Sequence, residues 1–180
     1  MNTVLLLIDL QYDYFLGGAN PLSGADEAVN AAAYVLNLFR NKGLPVIHVR
    51  HLSTRGDSTF FIPGTKGAEI HEAVFPLDDE VVVEKHFPNS FFQTGLLETL
   101  RVIGADRIVV CGMMTHMCVD ATVRAAKDHG FSVTLIADAC ATKDLFFAGQ
   151  AASAVQVQTS FLAALNYFYA DVVASSSLLA

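Results

Sequence analysis

The chain has 180 residues, of which 53% are apolar and 16% charged, and its formal net charge is −7. This length allows a sizeable core, so we expect a single domain over residues 1–180. The sequence contains no basic run, which argues against nucleic acid as a partner. The first apolar run lacks a basic flank and ends at Asp9, so it predicts neither a signal peptide nor a membrane partner.

The cysteine content and the low share of charged residues extend these expectations. Three cysteines, an odd number without framework spacing, are typical of a reducing compartment, so we predict a cytoplasmic protein. Few charges and many apolar residues suggest that part of the surface is buried by self-association. We therefore expect a homo-oligomer, either a dimer or a tetramer.

Apolar strand-like runs alternate with amphipathic helical segments along the chain. The first run, 3–8, has no polar alternation, which is typical of a strand covered on both faces in a parallel sheet. Strand and helix alternate with helices of crossover length, which predicts an α/β fold: a three-layer, Rossmann-like fold with a mostly parallel six-stranded sheet flanked by helices. The predicted strands are 3–8, 44–49, 80–84, 107–111, 132–137 and 171–174, and the predicted helices are 25–42, 93–103, 117–129 and 145–168.

The segment 52–79 is too long and too rich in proline and glycine for a simple connection. Loops of this length are often lids or binding loops. Its apolar residues Phe60 and Phe61 could face a substrate or could equally bury against a partner subunit.

Three reactive side chains follow predicted strands. Asp9 follows the first strand, Lys85 the third, and Cys118 lies where the fourth strand, which we expect Gly112 to break, turns into a helix. Residues just past the carboxyl ends of parallel strands share one crevice. There Cys118 can attack, Lys85 and the helix N-terminus can lower the pKa of the thiol, and Asp9 can move its proton. The alternative is that Cys118 is a small core residue, as most free cysteines are.

Four stretches of the chain resemble one family, the isochorismatase-like cysteine hydrolases, which include nicotinamidases and N-carbamoyl amidohydrolases. In chain order they are LLLIDLQ at 5–11, EKHFPNSFFQTGL at 84–96, CGMMTHMCV at 111–119 and DACAT at 138–142.

The resemblance implies a mechanism residue by residue. Asp9, Lys85 and Cys118 match the catalytic triad of the family, and the peptide between Met113 and Met114 matches a cis bond. The backbone N–H groups of Met114 and Cys118 would then form the oxyanion hole. The implied reaction is hydrolysis of a small amide or carbamoyl substrate through a thioester, with no cofactor. The presence of Cys118 argues against true isochorismate hydrolysis, because those relatives lack the cysteine.

Nicotinamidases carry an acid and histidines as a metal site after the second strand, and this chain departs from that pattern. Arg50 lies near the place of the acid, and His48 and His51 are three apart in a strand, so they point to opposite faces. His51, Asp57 and His71 could still converge from the long loop, which the sequence does not decide. We predict no metal.

The predicted substrate pocket is apolar and aromatic, which suggests a flat or apolar substrate. His116 either lines this pocket or hydrogen-bonds at a subunit contact, and its position two residues before Cys118 argues against a role as the base. Two alternatives to the leading hypothesis stay open: a metal-assisted nicotinamidase, and a non-catalytic oligomeric family member. The predicted pocket residues are Gln11, Phe15, Phe60, Phe61, Phe87, Phe91, Met114 and His116.

Overall fold

The structure is a computed structural model that describes residues 2–179. Four α-helices form in this part of the chain: α1 (Ala25–Asn41), α2 (Leu96–Ile103), α3 (Asp120–Asp128) and α4 (Ala154–Phe168). The strands are β1 (Thr3–Ile8), β2 (Val46–His51), β3 (Val81–Lys85), β4 (Arg107–Met113), β5 (Ser132–Ala141), β6 (Leu145–Phe147), β7 (Gln150–Ala152) and β8 (Asp171–Val173).

Six strands form one sheet in the order β3-β2-β1-β4-β5-β8, and every neighbouring pair is parallel. Alternate residues of β1 pack into different cores. Leu5 and Leu7 join α1 on one face, whereas Leu6 and Ile8 join α2, α3 and α4 on the other. The predicted α/β fold with helices on both faces of a six-stranded sheet is therefore confirmed.

Gly112 does not end the fourth strand, contrary to our expectation. Strand β4 continues to Met113, and Gly112 pairs with Ile8 of β1 and Cys140 of β5. Its φ is 147°, and a Cβ atom at this position would overlap the backbone oxygen of Ile8. Glycine is needed here for a close approach of β4 to β1, not for a chain break.

The helix predicted over 145–168 is wrong in its first third. Residues 145–152 instead form the antiparallel hairpin β6–β7, which turns at Ala148 and Gly149 with φ values of 49° and 78°. The helix α4 begins after Ser153, whose Oγ accepts from the N–H of Gln156 while the Gln156 side chain accepts from the N–H of Ser153. This capping box sets the helix start.

Smaller differences concern where elements begin and end. Strands β2 and β3 begin and end later than predicted, α2 begins at Leu96, α3 begins at Asp120, and β5 extends to Ala141. The shift of β2 brings His51 into the strand, where it pairs in register with Lys85 of β3.

The hairpin and α4 expose large apolar side chains. Phe147 is 86% and Tyr167 91% exposed. None of the helices in residues 2–179 combines the length and the apolar character that crossing a bilayer requires. Self-association stays a prediction.

Candidate active site

The three side chains predicted at the carboxyl edge of the sheet lie in direct contact. Lys85 ends β3, Asp9 follows β1 with a positive φ of 51°, and Cys118 lies in a π-helical turn, Thr115–Val119, between β4 and α3. The Nζ of Lys85 is 2.7 Å from Asp9 Oδ2 and 3.3 Å from Cys118 Sγ. All three side chains are buried. The three residues meet because β3, β1 and β4 are strands of one parallel sheet and end at the same edge.

Burial raises the pKa of the Cys118 thiol above its ordinary value, and the carboxylate of Asp9 raises it further. Lys85 acts in the opposite direction without reversing the shift. The sequence suggested a lowered pKa, because depth of burial is not visible there. A neutral thiol beside an Asp–Lys ion pair keeps the buried site at zero net charge. A thiolate is then favoured only if its proton stays in the site.

Lys85 is held as an ammonium ion. Burial lowers its pKa, but Asp9 and Cys118 together outweigh that effect, so the pKa lies above its usual value. Beyond these two partners, Nζ donates to Phe87 O at 3.0 Å and lies 2.9 Å from His51 Nδ1. A charged lysine in a dry site requires this number of acceptors.

Asp9 keeps one carboxyl oxygen free. Within residues 2–179, Oδ1 is buried without a hydrogen-bond partner. An unpaired buried acceptor is costly, and such atoms are often found at reactive sites. Oδ1 is therefore available to receive a proton.

The fourth member of the cluster, His51, has both its backbone and its ring fixed. The Gln11 side chain accepts from the N–H of His51 at 2.7 Å and donates to its carbonyl at 2.9 Å. The ring packs on Phe61, with centroids 5.5 Å apart. Burial first, and then the charge of Lys85, lower the pKa of His51 to about 4. The ring is therefore neutral at neutral pH.

A cleft of about 610 Å³ opens above this cluster. Cys118 and His51 reach it, and its walls combine aromatic and methionine side chains with a polar loop at the mouth. Of the predicted pocket residues, Phe60, Phe61, Phe87 and Met114 line it. The lining residues that the sequence did not indicate are Tyr14, Ser53, Thr54, Arg55, Ser58, Thr59, His86, Pro88 and Met117.

Four residues expected at the pocket lie elsewhere. Gln11 is buried, and its side chain hydrogen-bonds the backbone of His51. Phe15 stacks on His71 at 4.3 Å, and Phe91 packs beside His129 at 5.0 Å. His116 turns to Thr142, with Nδ1 2.6 Å from its hydroxyl. Each of these side chains has a packing or hydrogen-bonding partner that draws it away from the cleft.

The peptide bond between Met113 and Met114 is cis. It joins the end of β4 to the π-helical turn that carries Cys118. Met114 and Cys118 both line the cleft.

The residues considered for a metal do not fit one. Asp57 pairs with exposed Arg55, and His71 accepts from the N–H of Ala73, so neither joins His51. Among residues 2–179, the potential ligand atoms that do converge are those of Asp9, His51 and Cys118, within 4.8 Å of one another. The Lys85 ammonium lies within hydrogen-bonding distance of all three. A divalent cation bound by these three residues would be repelled by the Lys85 ammonium.

Comparisons with known proteins show which family the chain is similar to. The isochorismatase domain model matches residues 3–166. YddQ of Bacillus subtilis, an uncharacterised isochorismatase family protein, is 47% identical, with 99% of each chain covered. An isochorismatase from Pseudomonas putida superposes with a TM-score of 0.92 at 41% identity, covering 98% of this chain and 89% of that one. The maleamate amidohydrolase of Pseudomonas putida is 33% identical over 73% of this chain and 68% of its own.

Proposed function

Since this chain belongs to the isochorismatase family, we propose that it hydrolyses a small amide or carbamoyl compound through a thioester on Cys118. The observation that carries the proposal is the contact of Lys85 Nζ with both Asp9 and Cys118 in the floor of an apolar cleft. The amide of maleamate, which a relative hydrolyses, belongs to the same substrate class.

The first step is attack by the thiol. Asp9 takes the proton of Cys118, and Sγ forms a bond to the carbonyl carbon of the substrate, whose oxygen becomes an oxyanion. The proton stays inside the site, so the thiolate forms without adding net charge to the buried cluster. Lys85 remains an ammonium ion throughout and stabilises the negative charge as it moves from Asp9 to sulfur.

The oxyanion is stabilised by backbone N–H groups of Met114, which immediately precedes the π-helical turn, and of Cys118, which lies within that turn. Fixed N–H dipoles beside a developing charge lower the barrier, because they need no reorganisation during the reaction. We assign this role to these two residues.

The second half of the reaction releases both products. The oxyanion collapses, the carbon–nitrogen bond breaks, and the leaving amine or ammonia takes the proton held by Asp9. A water molecule then attacks the thioester, with Asp9 accepting one of its protons. Breakdown of this second oxyanion expels Cys118, whose sulfur takes back the proton held by Asp9. The product is a carboxylic acid, or carbamic acid when the substrate is a carbamoyl compound.

The test is ammonia release from a panel of small amides and carbamoyl compounds, with nicotinamide included. We expect the wild type to release ammonia from some members, and Cys118→Ala to lose this activity by about 10⁴-fold or more. Each protein is assayed with and without a chelator. Because Lys85 occupies the centre of the site, the chelator should have no effect.

The other outcomes point to the alternatives. Activity lost with the chelator would replace this mechanism with a metal-assisted one. Equal activity in wild type and Cys118→Ala, or none from any compound together with slow alkylation of Cys118 by iodoacetamide, would overturn the proposal and favour a non-catalytic family member.

A further inference from the structure

Lys85 has no hydrogen bond to spare for a substrate. Its three N–H bonds face four acceptors: Asp9 Oδ2, His51 Nδ1, Phe87 O and Cys118 Sγ, at 2.7, 2.9, 3.0 and 3.3 Å. The ammonium is also fully buried. Lys85 therefore has no N–H left for a direct hydrogen bond to a ligand in the cleft, and such a bond has to come from one of these partners.

His51 is the partner that connects Lys85 with the cleft. Its Nδ1 accepts from the ammonium, so the neutral ring carries its proton on Nε2. No hydrogen bond within residues 2–179 involves this Nε2–H, and the side chain is 17% exposed where it lines the cleft. Gln11 holds the backbone N–H and carbonyl of His51, and Lys85 holds the ring at Nδ1, so the unpaired Nε2–H is left for a ligand.

We propose that His51 Nε2–H is a substrate-binding donor that selects amides with a second acceptor oxygen on the carbon next to the scissile carbonyl. An imidazole nitrogen of His51 lies within 4.8 Å of Cys118 Sγ. When the carbonyl carbon of a substrate is bonded to Sγ, the oxygen on the neighbouring carbon therefore lies near the His51 ring. The inference rests on the proposed function and adds to it a substrate class: amides of 2-oxo acids and closely related acceptor-bearing amides.

The charge of Lys85 makes this donor stronger than an ordinary imidazole. A hydrogen bond from Nζ to Nδ1 polarises the ring, which increases the partial positive charge at Nε2. Hydrogen bonds assisted by a charged group are worth more than neutral ones. An amide without the second oxygen would leave this donor desolvated and unpaired.

The test is a matched pair of amides, 2-oxobutanamide and butanamide, which differ at the carbon next to the carbonyl. We compare their kcat/KM ratio in the wild type and in His51→Asn. Asparagine places its Oδ1 near the position of Nδ1, so Lys85 keeps an acceptor while the cleft donor is lost. We expect the preference for 2-oxobutanamide to fall by about tenfold to hundredfold, chiefly through KM.

Two further variants separate a binding role from a structural one. His51→Gln keeps an N–H near the position of Nε2 and should retain more of the preference than His51→Asn. His48→Asn changes the other buried histidine of β2, which does not line the cleft, and should leave the preference unchanged.

A binding experiment tests the role of His51 without requiring turnover. Calorimetry with both amides in the Cys118→Ala background measures the same preference without hydrolysis and without thiol addition to the ketone. Loss of the binding preference on adding His51→Asn supports the donor role even if no amide is hydrolysed. An unchanged preference in His51→Asn, in turnover or in binding, would overturn the role of His51 and leave the thioester mechanism standing.

Discussion

Strand β2 contributes one histidine to each of two polar clusters, which differ in how they use their hydrogen-bonding groups. In the Glu80 cluster, formed by Arg40, His48 and Glu80, both carboxylate oxygens are used. Arg40 donates to them at 2.8 and 2.7 Å, and His48 Nε2 lies 2.8 Å from Oε2. The N–H of Leu77 adds a further hydrogen bond at 2.9 Å. These contacts tie α1, β2 and the segment before β3 together.

The Lys85 cluster, formed by Asp9, His51, Lys85 and Cys118, leaves its reactive atoms free. Within residues 2–179 one oxygen of Asp9 has no partner, and the cleft reaches both His51 and Cys118. In the Glu80 cluster the buried atom left unpaired in that same range is His48 Nδ1, in a residue that does not line the cleft. The Glu80 cluster thus uses its charged groups fully, whereas the Lys85 cluster leaves hydrogen-bonding groups unused, as we expect of the proposed active site.

The largest effect should come from removing the charge at the centre of the reactive cluster. Lys85→Met leaves Asp9 buried without its cation, so we expect a loss of about 3–5 kcal/mol in the free energy of unfolding. Hydrolysis should fall by about 10⁴-fold or more, because Asp9 and Cys118 lose their common partner. Urea unfolding and the ammonia assay measure the two effects.

A double variant separates stability from catalysis in this cluster. Asp9→Asn combined with Lys85→Met removes both charges, so most of the lost stability should return while activity stays absent. Recovery of activity together with stability would contradict the assigned roles and would make the Lys85 cluster a structural one, like the Glu80 cluster.

The matched change in the Glu80 cluster should lower stability while leaving hydrolysis almost unchanged. Glu80→Gln keeps the shape of the side chain but loses the ion pairs to Arg40 and the hydrogen-bonded charge facing His48. We expect about 2 kcal/mol less stability by urea unfolding, with kcat/KM changed by less than about twofold. A large loss of kcat/KM in a fully folded Glu80→Gln protein would show that the clusters are coupled.

The sequence was sufficient to predict that Asp9, Lys85 and Cys118 lie together, and insufficient to predict that His51 joins them. The three residues could be placed because each follows an apolar strand, and parallel strands end at one edge. His51 required the exact end of β2 and its register with Lys85, which an apolar pattern interrupted by His48 and Arg50 does not define.

The pocket and the region before α4 were harder to predict for a related reason. Whether an aromatic residue faces the cleft or the core depends on long-range packing, so Phe61 was placed correctly and Phe91 was not. The hairpin β6–β7 is as apolar as the helix that follows it, and its turn depends on the positive φ at Ala148 and Gly149, which an apolar pattern does not show.

Acid should affect the two clusters in different pH ranges. The pKa of His51 is lowered from its usual value near 6.5 to about 4, by burial and then by Lys85. The unfolded chain therefore binds a proton that the folded one does not, and stability falls as the pH drops from about 6.5 towards 4. For Glu80, burial alone would raise the pKa, but the hydrogen bonds from Arg40, Leu77 and His48 lower it to about 2. Its contribution is present above about 4.5 and is lost as the pH falls towards 2.

Urea unfolding at a series of pH values measures both contributions. His51→Asn should reduce the slope between about pH 6.5 and 4, and the rest of that slope comes from His48, His71 and His116, whose pKa values are lowered by burial. Glu80→Gln should reduce the slope between about pH 4.5 and 2. We expect these slopes to be smaller effects than the losses from Lys85→Met, because each involves one proton and a partly hydrated group. If His51→Asn left the upper slope intact, His51 would have the same pKa in the folded and unfolded chains, and the lowering of its pKa by burial and by Lys85 would be contradicted.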